Sequence, residues 1–255
     1  MNPAFTEKDI SFFKKYLKDS SVYFEYGSGG STFLAYNQKN VKKIISVESC
    51  QFWIDEILRN LRTDSNDSRV NFNFISFSPD VANLGLPVLE NNSQVEILKN
   101  NNNVGPNQIT DTILINGQIL SSSMDKRKNI LYKIKLENGV ILSDVHPKIV
   151  IPKENKILEK YIEYSSVINH NQDDKIDLIL IDGRCRVSCA LMCHNVISDD
   201  CIVLIDDFNN RICYHQIIFK YYNVLEKGDR MISLKKKKNI KVSMNDLENY
   251  KKDIR

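Results

Sequence analysis

Residues 23–32 read Tyr-Phe-Glu-Tyr-Gly-Ser-Gly-Gly-Ser-Thr, and no other stretch of the chain narrows its fold as far. An apolar run, Val22 to Tyr26, enters a glycine-dense turn, and a helix-compatible segment, Ser31 to Tyr36, follows at once. Strand, glycine turn and helix make the layout of a nucleotide-binding βα unit. Glycine reaches φ > 0 and carries no Cβ, so backbone N–H groups can approach a ligand closely. Glu25, at the strand's end, favours a cationic or hydroxylated partner over a bare pyrophosphate. A second acid follows. Residues 41–47 read as the next strand, and Glu48 ends it roughly 20 residues beyond the turn, where a βαβ unit places a ribose-binding carboxylate.

The rest of the pattern is α/β. Thr6 and Asp9 resemble a cap, and Ile10, Phe13, Tyr16 and Leu17 recur at helical spacing, which predicts a helix over 7–19. Helices are also expected over 31–38, through Phe52, Ile54, Ile57, Leu58 and Leu61, and over 154–168, with Phe52 and Trp53 in the core. Further helices are expected through Val187 to Val196 and over 211–224. Strands are expected over 22–26, 43–48, 70–76, 176–181 and 201–205. The last two are unbroken apolar runs, which implies burial on both faces and a central parallel sheet. Two closing strands, 231–234 and 240–242, face each other across the lysine run Lys235–Lys238, read as a solvated turn. Between 91 and 106 an asparagine-rich stretch reads as linker. Residues 95–155 read as a β-rich insertion within a single domain of 1–255, with hairpin turns at Asn116-Gly117 and Asn138-Gly139.

Composition closes off several classes. The net charge is +3, without the clustered basic face of a nucleic-acid binder. No stretch reaches the roughly 18 apolar residues that span a bilayer. The N-terminus lacks a basic stretch followed by an apolar one, which gives a cytoplasmic expectation. The six cysteines, Cys50, Cys185, Cys189, Cys193, Cys201 and Cys213, mostly sit in apolar segments and are expected to be buried thiols. The oligomeric state, a homo-oligomer included, is left open.

Acids stand at the ends of further strands: Asp182 after 176–181, and Asp206-Asp207 after 201–205. Ligands of doubly wound sheets bind outside these carboxyl ends. The order Glu25-Tyr-Gly-Ser-Gly-Gly-Ser-Thr32, Val47-Glu48, Leu180-Ile-Asp-Gly183, Leu204-Ile-Asp-Asp207 and a terminal hairpin resembles class I S-adenosylmethionine-dependent methyltransferases. The resemblance implies a Rossmann-like, mostly parallel seven-stranded sheet with an antiparallel last strand. It implies that Glu25, Gly27, Gly29 and their neighbours Tyr26, Ser28, Ser31 and Thr32 hold the methionine part, that Glu48 and Ser49 hold the ribose, and that Asp182 borders the same cleft. Ile181-Asp-Gly183 and Ile205-Asp-Asp207 look like the macrocin-type sugar O-methyltransferases. That likeness implies a Mg²⁺ ion on Asp182, Asp206 and Asp207 and a small hydroxylated acceptor, a sugar or glycan.

Two departures stand out. The family's acid two positions after Asp182 is Arg184 here, and Asp-Gly-Arg-Cys-Arg resembles an Asp-Gly-Arg-x-Arg branch of uncharacterised substrate. Arginine is no general base near neutral pH. Arg184 and Arg186 either bind an anionic acceptor or pair with the rim acids, and the base stays open among Asp207, His215 and a residue of the insertion. The strand ending at Ser76 lacks an acid for an adenine amine, and Asp80 follows in the loop. His146 is a second acceptor-side candidate. A metal on the Cys185, Cys189 and Cys193 stripe is a minor alternative to a buried helix face. Two other readings remain: a nicotinamide-dependent oxidoreductase, against which Thr32 replaces the third fingerprint glycine, and a non-catalytic binding module on the same fold.

Overall fold

The runs Leu178–Ile181 and Ile202–Ile205 carry no polar side chain, and in the computed structural model both are interior strands. The structure describes residues 2–61, 68–77, 94–100, 112–124, 130–145, 150–152, 155–211, 214–251 and 253. Asp80, His146, Cys213 and most of the asparagine-rich stretch lie outside them. In chain order the elements begin α1 (Glu7–Leu17), β1 (Val22–Tyr26), α2 (Gly30–Tyr36), β2 (Lys43–Glu48), α3 (Gln51–Leu61) and β3 (Val70–Phe74). Then come β4 (Gln94–Asn100), β5 (Thr112–Met124), β6 (Ile130–Leu136), β7 (Ile141–Val145), β8 (Val150–Pro152) and α4 (Asn155–Ser166). The chain continues with β9 (Leu178–Ile181), α5 (Arg186–Val196), β10 (Ile202–Ile205), α6 (His215–Tyr221), β11 (Tyr222–Lys227), β12 (Ile232–Lys236) and α7 (Met244–Tyr250).

Two compact units result, one of residues 1–76 and 162–253, the other of residues 77–161. The first holds a seven-stranded sheet in the order β11-β12-β10-β9-β1-β2-β3. All pairings are parallel except those of β12, which runs antiparallel to both β10 and β11. The chain leaves β1 toward β2 and leaves β9 toward β10, on opposite sides, so the crevice of a doubly wound sheet opens where β1 meets β9. Phe13 and Leu17 of α1 pack with Tyr23, Ile44, Leu178, Leu180, Leu204 and Met231 in one apolar cluster. Each fully buried side chain of this size contributes about 1.5–3 kcal/mol. Thr6 caps α1, its hydroxyl accepting from the Asp9 N–H at 3.1 Å.

The second unit holds an antiparallel five-stranded sheet in the order β7-β6-β5-β4-β8. Here the expected hairpins divide. Asn138-Gly139 does turn the chain, with Gly139 at φ +84° and the Val140 N–H on Asn138 Oδ1. Asn116-Gly117 does not. It lies inside β5, paired with Glu96 and Val95 of β4, because the non-local partner β4 outweighs the local turn preference. The C-terminal hairpin is likewise displaced. Residues 222–224, expected as the end of a helix, instead open β11, and the turn falls at Gly228–Arg230, where the Asp9 carboxylate accepts the Asp229 N–H at 3.0 Å and the Arg230 N–H at 3.1 Å. Lys235 and Lys236 therefore end β12 instead of forming the turn. Residues 240–242 are not a strand and lead into α7, capped by Ser243. Phe52, expected in the core, is exposed, and α3 buries Ile54 and Ile57 instead. Among the described residues, no helix is long and apolar enough to cross a membrane.

Candidate functional site

Sheet register sets the site. The parallel ladder runs one step past the strands: the Asp182 N–H donates to the Tyr26 carbonyl at 2.9 Å and the Asp206 N–H to the Ile181 carbonyl at 3.1 Å. Glu48, Gly27, Asp182 and Asp206 therefore stand along one rim. Gly27 has φ +92°, and a Cβ there would lie 2.7 Å from the Gly183 nitrogen. Gly183 is held as tightly, since its own Cβ would lie 2.1 Å from the Tyr164 hydroxyl. Two missing side chains thus let the ends of β1 and β9 meet. Beside Gly29 a Cβ would find open space, whereas at Gly30 it would strike the backbone of Asn2 and Pro3. One flank of the turn is open and the other is covered by the protein's own N-terminal segment.

The Glu48 carboxylate ties the turn to β2. Its Oε2 accepts the Ser28 N–H at 2.7 Å, and its Oε1 accepts the Ser49 and Cys50 N–H groups at 2.7 and 2.8 Å. The Ser49 hydroxyl also donates to Oε1, at 3.4 Å, whereas Oε2 takes only the Ser28 N–H, so one of the two acceptor positions on Oε2 remains. Burial pushes the Glu48 carboxyl up to about 7, against the pull of those three N–H groups. An acid raised in the fold gives stability that is complete below its unfolded value and is lost as pH rises through the folded one. The melting temperature of the ligand-free protein is therefore expected to fall as pH rises from about 5 to 8, and Glu48→Gln to lessen that slope, leaving the share of Asp182, whose carboxyl is also raised. A pH series of thermal denaturation curves checks this.

Glu25 has a different job from the one expected. It is fully buried, and four hydroxyls donate to it. Oε2 accepts from Tyr23 and Ser31, each at 2.8 Å, and Oε1 from Ser46 at 2.7 Å and from Thr32. Since Ser46 gives its proton to Glu25, Ser28 donates to Ser46 at 2.6 Å, and Thr32 in turn accepts the Gly29 N–H at 3.0 Å. Burial raises the Glu25 carboxyl, opposed by these hydroxyls. Glu25, Ser28, Ser31 and Thr32 thus face inward and hold the turn's shape. Tyr26 is also interior, its hydroxyl on the Ser165 carbonyl at 2.7 Å. Gly27, Glu48, Ser49 and Asp182 stand at the strand ends beside Gly29, with Glu48 and Ser49 buried and Asp182 half-buried.

The metal expectation is corrected by what surrounds the three aspartates. Arg186 lies 3.3 Å from Asp182 and 3.1 Å from Asp207. Arg211 lies 3.1 Å from Asp207, and Arg230 contacts Asp206 and, at 2.9 Å, Asp207. Three guanidinium groups answer three carboxylates, a charge balance that does not fit a hard dication on the same oxygens. Among the described residues, no group of three His, Cys, Asp or Glu side chains is arranged to hold a metal ion, the cysteine stripe included. Burial raises the Asp182 carboxyl to about 8, with Arg186 opposing and Asp206 adding to the rise. Burial would also raise Asp207, but Arg186, Arg230 and Arg211 together hold it below the usual range. Asp207 itself sits at φ +55°, a conformation that a short polar side chain tolerates.

His215 is held by Phe208, the residue after Asp207. Its ring stacks on Phe208 at 4.6 Å, with Nε2 3.1 Å from the Phe208 carbonyl. Arg184 is half-buried, its carbonyl accepting the Cys189 thiol at 3.4 Å. Sequence reasoning missed Arg211, Arg230 and Tyr164, of which Arg230 and Tyr164 come from segments remote from the motifs. The i,i+4 spacing of Asp207 and Arg211 was a local signal for that pair.

No protein-family model matches the sequence, and no curated protein matches it. Among solved structures, the chain is similar to a methyltransferase-like protein from Silicibacter pomeroyi, with 16% identity, a TM-score of 0.59, and coverage of 98% of this chain and 97% of that one. It is also similar to the S-adenosylhomocysteine-bound methyltransferase PaMTH1 of Podospora anserina, with 11% identity, a TM-score of 0.40, and coverage of 91% and 78%. The Silicibacter likeness is one of fold. The seven-stranded sheet with β12 reversed is Rossmann-like.

Proposed function

We propose that this protein transfers a methyl group from S-adenosylmethionine to an oxygen of a small hydroxylated acceptor. The observation that carries this reading is the joint made by Glu48 and the glycine turn. The acid at the end of β2 binds the Ser28 N–H and keeps one acceptor position for a ribose hydroxyl, beside the open space at Gly29. When bound, S-adenosylmethionine supplies a methyl group activated by its sulfonium. Gly27 and Gly29 would lie against its methionine part and Glu48 and Ser49 against its ribose. A ribose hydroxyl donating to Glu48 favours the ionised carboxylate.

Asp182 is the acid best placed to take the acceptor's proton. Asp206 is fully buried, and Asp207 is held below the usual carboxylate range by three guanidinium groups, whereas Asp182 touches one, that of Arg186, and its raised carboxyl takes up a proton more readily. Orientation and water exclusion supply the remainder. The sugar or glycan acceptor rests on the resemblance of the Asp182 and Asp206-Asp207 motifs alone. A nicotinamide reading is disfavoured because Thr32, in the third glycine's place, is bonded to the buried Glu25. Mass spectrometry of the small molecules released from the purified protein tests the cofactor class. S-adenosylmethionine or S-adenosylhomocysteine is expected, and a nicotinamide dinucleotide would contradict it.

A further inference from the structure

Arg186 uses every donor it has. A guanidinium carries five N–H groups, and here they meet five oxygens. Nε donates to the Gly183 carbonyl at 3.1 Å. Nη1 donates to the Asp206 carbonyl at 2.8 Å and to Asp207 Oδ2 at 3.1 Å. Nη2 donates to the Asp182 carbonyl at 3.1 Å and to Asp182 Oδ1 at 3.3 Å. The side chain is 9% exposed. Three backbone carbonyls and two carboxylates from the ends of β9 and β10 converge on one buried positive group. A hard divalent cation draws the same donors, carbonyl and carboxylate oxygen.

We propose that Arg186 is a built-in cation: it occupies the position and does the positioning work of a divalent ion at this rim, so the site neither binds nor needs one. It joins the ends of β9 and β10 and orients Asp182 and Asp207 toward the acceptor side, and is a positioning residue in that sense. Its planar fork makes this possible, since a lysine ammonium in the same place has three donors and cannot reach five oxygens. The orienting role rests on the function proposed above, whereas the cation role does not.

The test uses the full-length protein. Wild type is expected to show no sensitised terbium luminescence at stoichiometric metal, and no change in melting temperature with millimolar Mg²⁺, Mn²⁺ or Ca²⁺. A true site at about 100 times its Kd would raise the melting temperature by about 5–10 °C. Arg186→Ala leaves the five oxygens facing a void. It is expected to melt lower, to gain terbium luminescence, and to be partly restored by millimolar guanidinium or Mn²⁺. A merely packed arginine would show neither gain. Arg186→Lys guards against an alanine variant that fails to fold: it is expected to melt between the two and to stay insensitive to Mn²⁺.

Stoichiometric metal binding by wild type, abolished by Asp182→Asn, overturns the proposal. So does a folded Arg186→Ala variant that responds to neither guanidinium nor metal. Titration of the same preparations with S-adenosylhomocysteine keeps the two readings apart. Absence of binding there, with the cation results as expected, removes the methyltransferase reading and leaves this one standing.

Discussion

Gly27→Ala is expected to destabilise the protein by about 3 kcal/mol, or roughly 6–12 °C in melting temperature for a domain of this size. The residue sits at φ +92°, where an L side chain is strained, and the new Cβ would lie 2.7 Å from the Gly183 nitrogen. Neither backbone can give way. Gly27 donates to the Val47 carbonyl at 2.8 Å, and Gly183 is wedged against Tyr164. Gly29→Ala provides the contrast, because nothing lies within 4 Å of its added Cβ. Its stability is expected to stay within about 0.5 kcal/mol of wild type, while cofactor affinity falls as the methyl fills the crevice. Thermal denaturation and ligand titration of the two variants separate the glycine that builds the turn from the glycine that leaves room for the ligand. Equal stability of the two variants would contradict this division.

Glu25→Ala is expected to cost about 4 kcal/mol or more. It leaves four hydroxyls of Tyr23, Ser31, Thr32 and Ser46 without their shared acceptor, and an unsatisfied buried polar group costs about 1–3 kcal/mol. The sum is smaller than four separate penalties, since hydroxyls rotate and water enters the space. Glu25→Gln keeps one acceptor oxygen and is expected to lose about half as much. In both variants cofactor affinity drops with stability, because the carboxylate shapes the turn without touching the ligand. Urea denaturation alongside titration reads both quantities. A Glu25→Gln protein of wild-type stability that has lost binding would instead make Glu25 a direct ligand contact.

The sheet was legible because its signals are local. The apolar runs at 178–181 and 202–205 have one sensible burial, and β1 and β2 fall on their expected residues. Acids placed after such runs reach one rim by register alone. The failures are non-local. Asn116-Gly117 has strong hairpin chemistry, yet a partner strand more than a dozen residues upstream fixes it as mid-strand. Residues 222–224 continue the helical pattern of α6 until pairing with β12 claims them. The site divides in the same way. The places of Glu48 and the glycine turn at the strand ends could be read from their spacing. The roles of Glu25 and the aspartates could not, since they depend on hydroxyls from β1, α2 and β2 and on Arg186, Arg211 and Arg230 from three separate segments. A carboxylate in a sequence looks available, and only its neighbours in space show what it already holds.

The Glu48 joint is tested most directly by isothermal titration of the wild type and Glu48→Gln with S-adenosylmethionine and S-adenosylhomocysteine. Wild type is expected to bind both at one site per chain. Glu48→Gln, with its fold verified by circular dichroism, is expected to bind about 10- to 150-fold more weakly, the loss of a hydrogen bond to a charged group worth about 1.5–3 kcal/mol. No heat from the wild type, or equal affinity in the two proteins, would contradict the account.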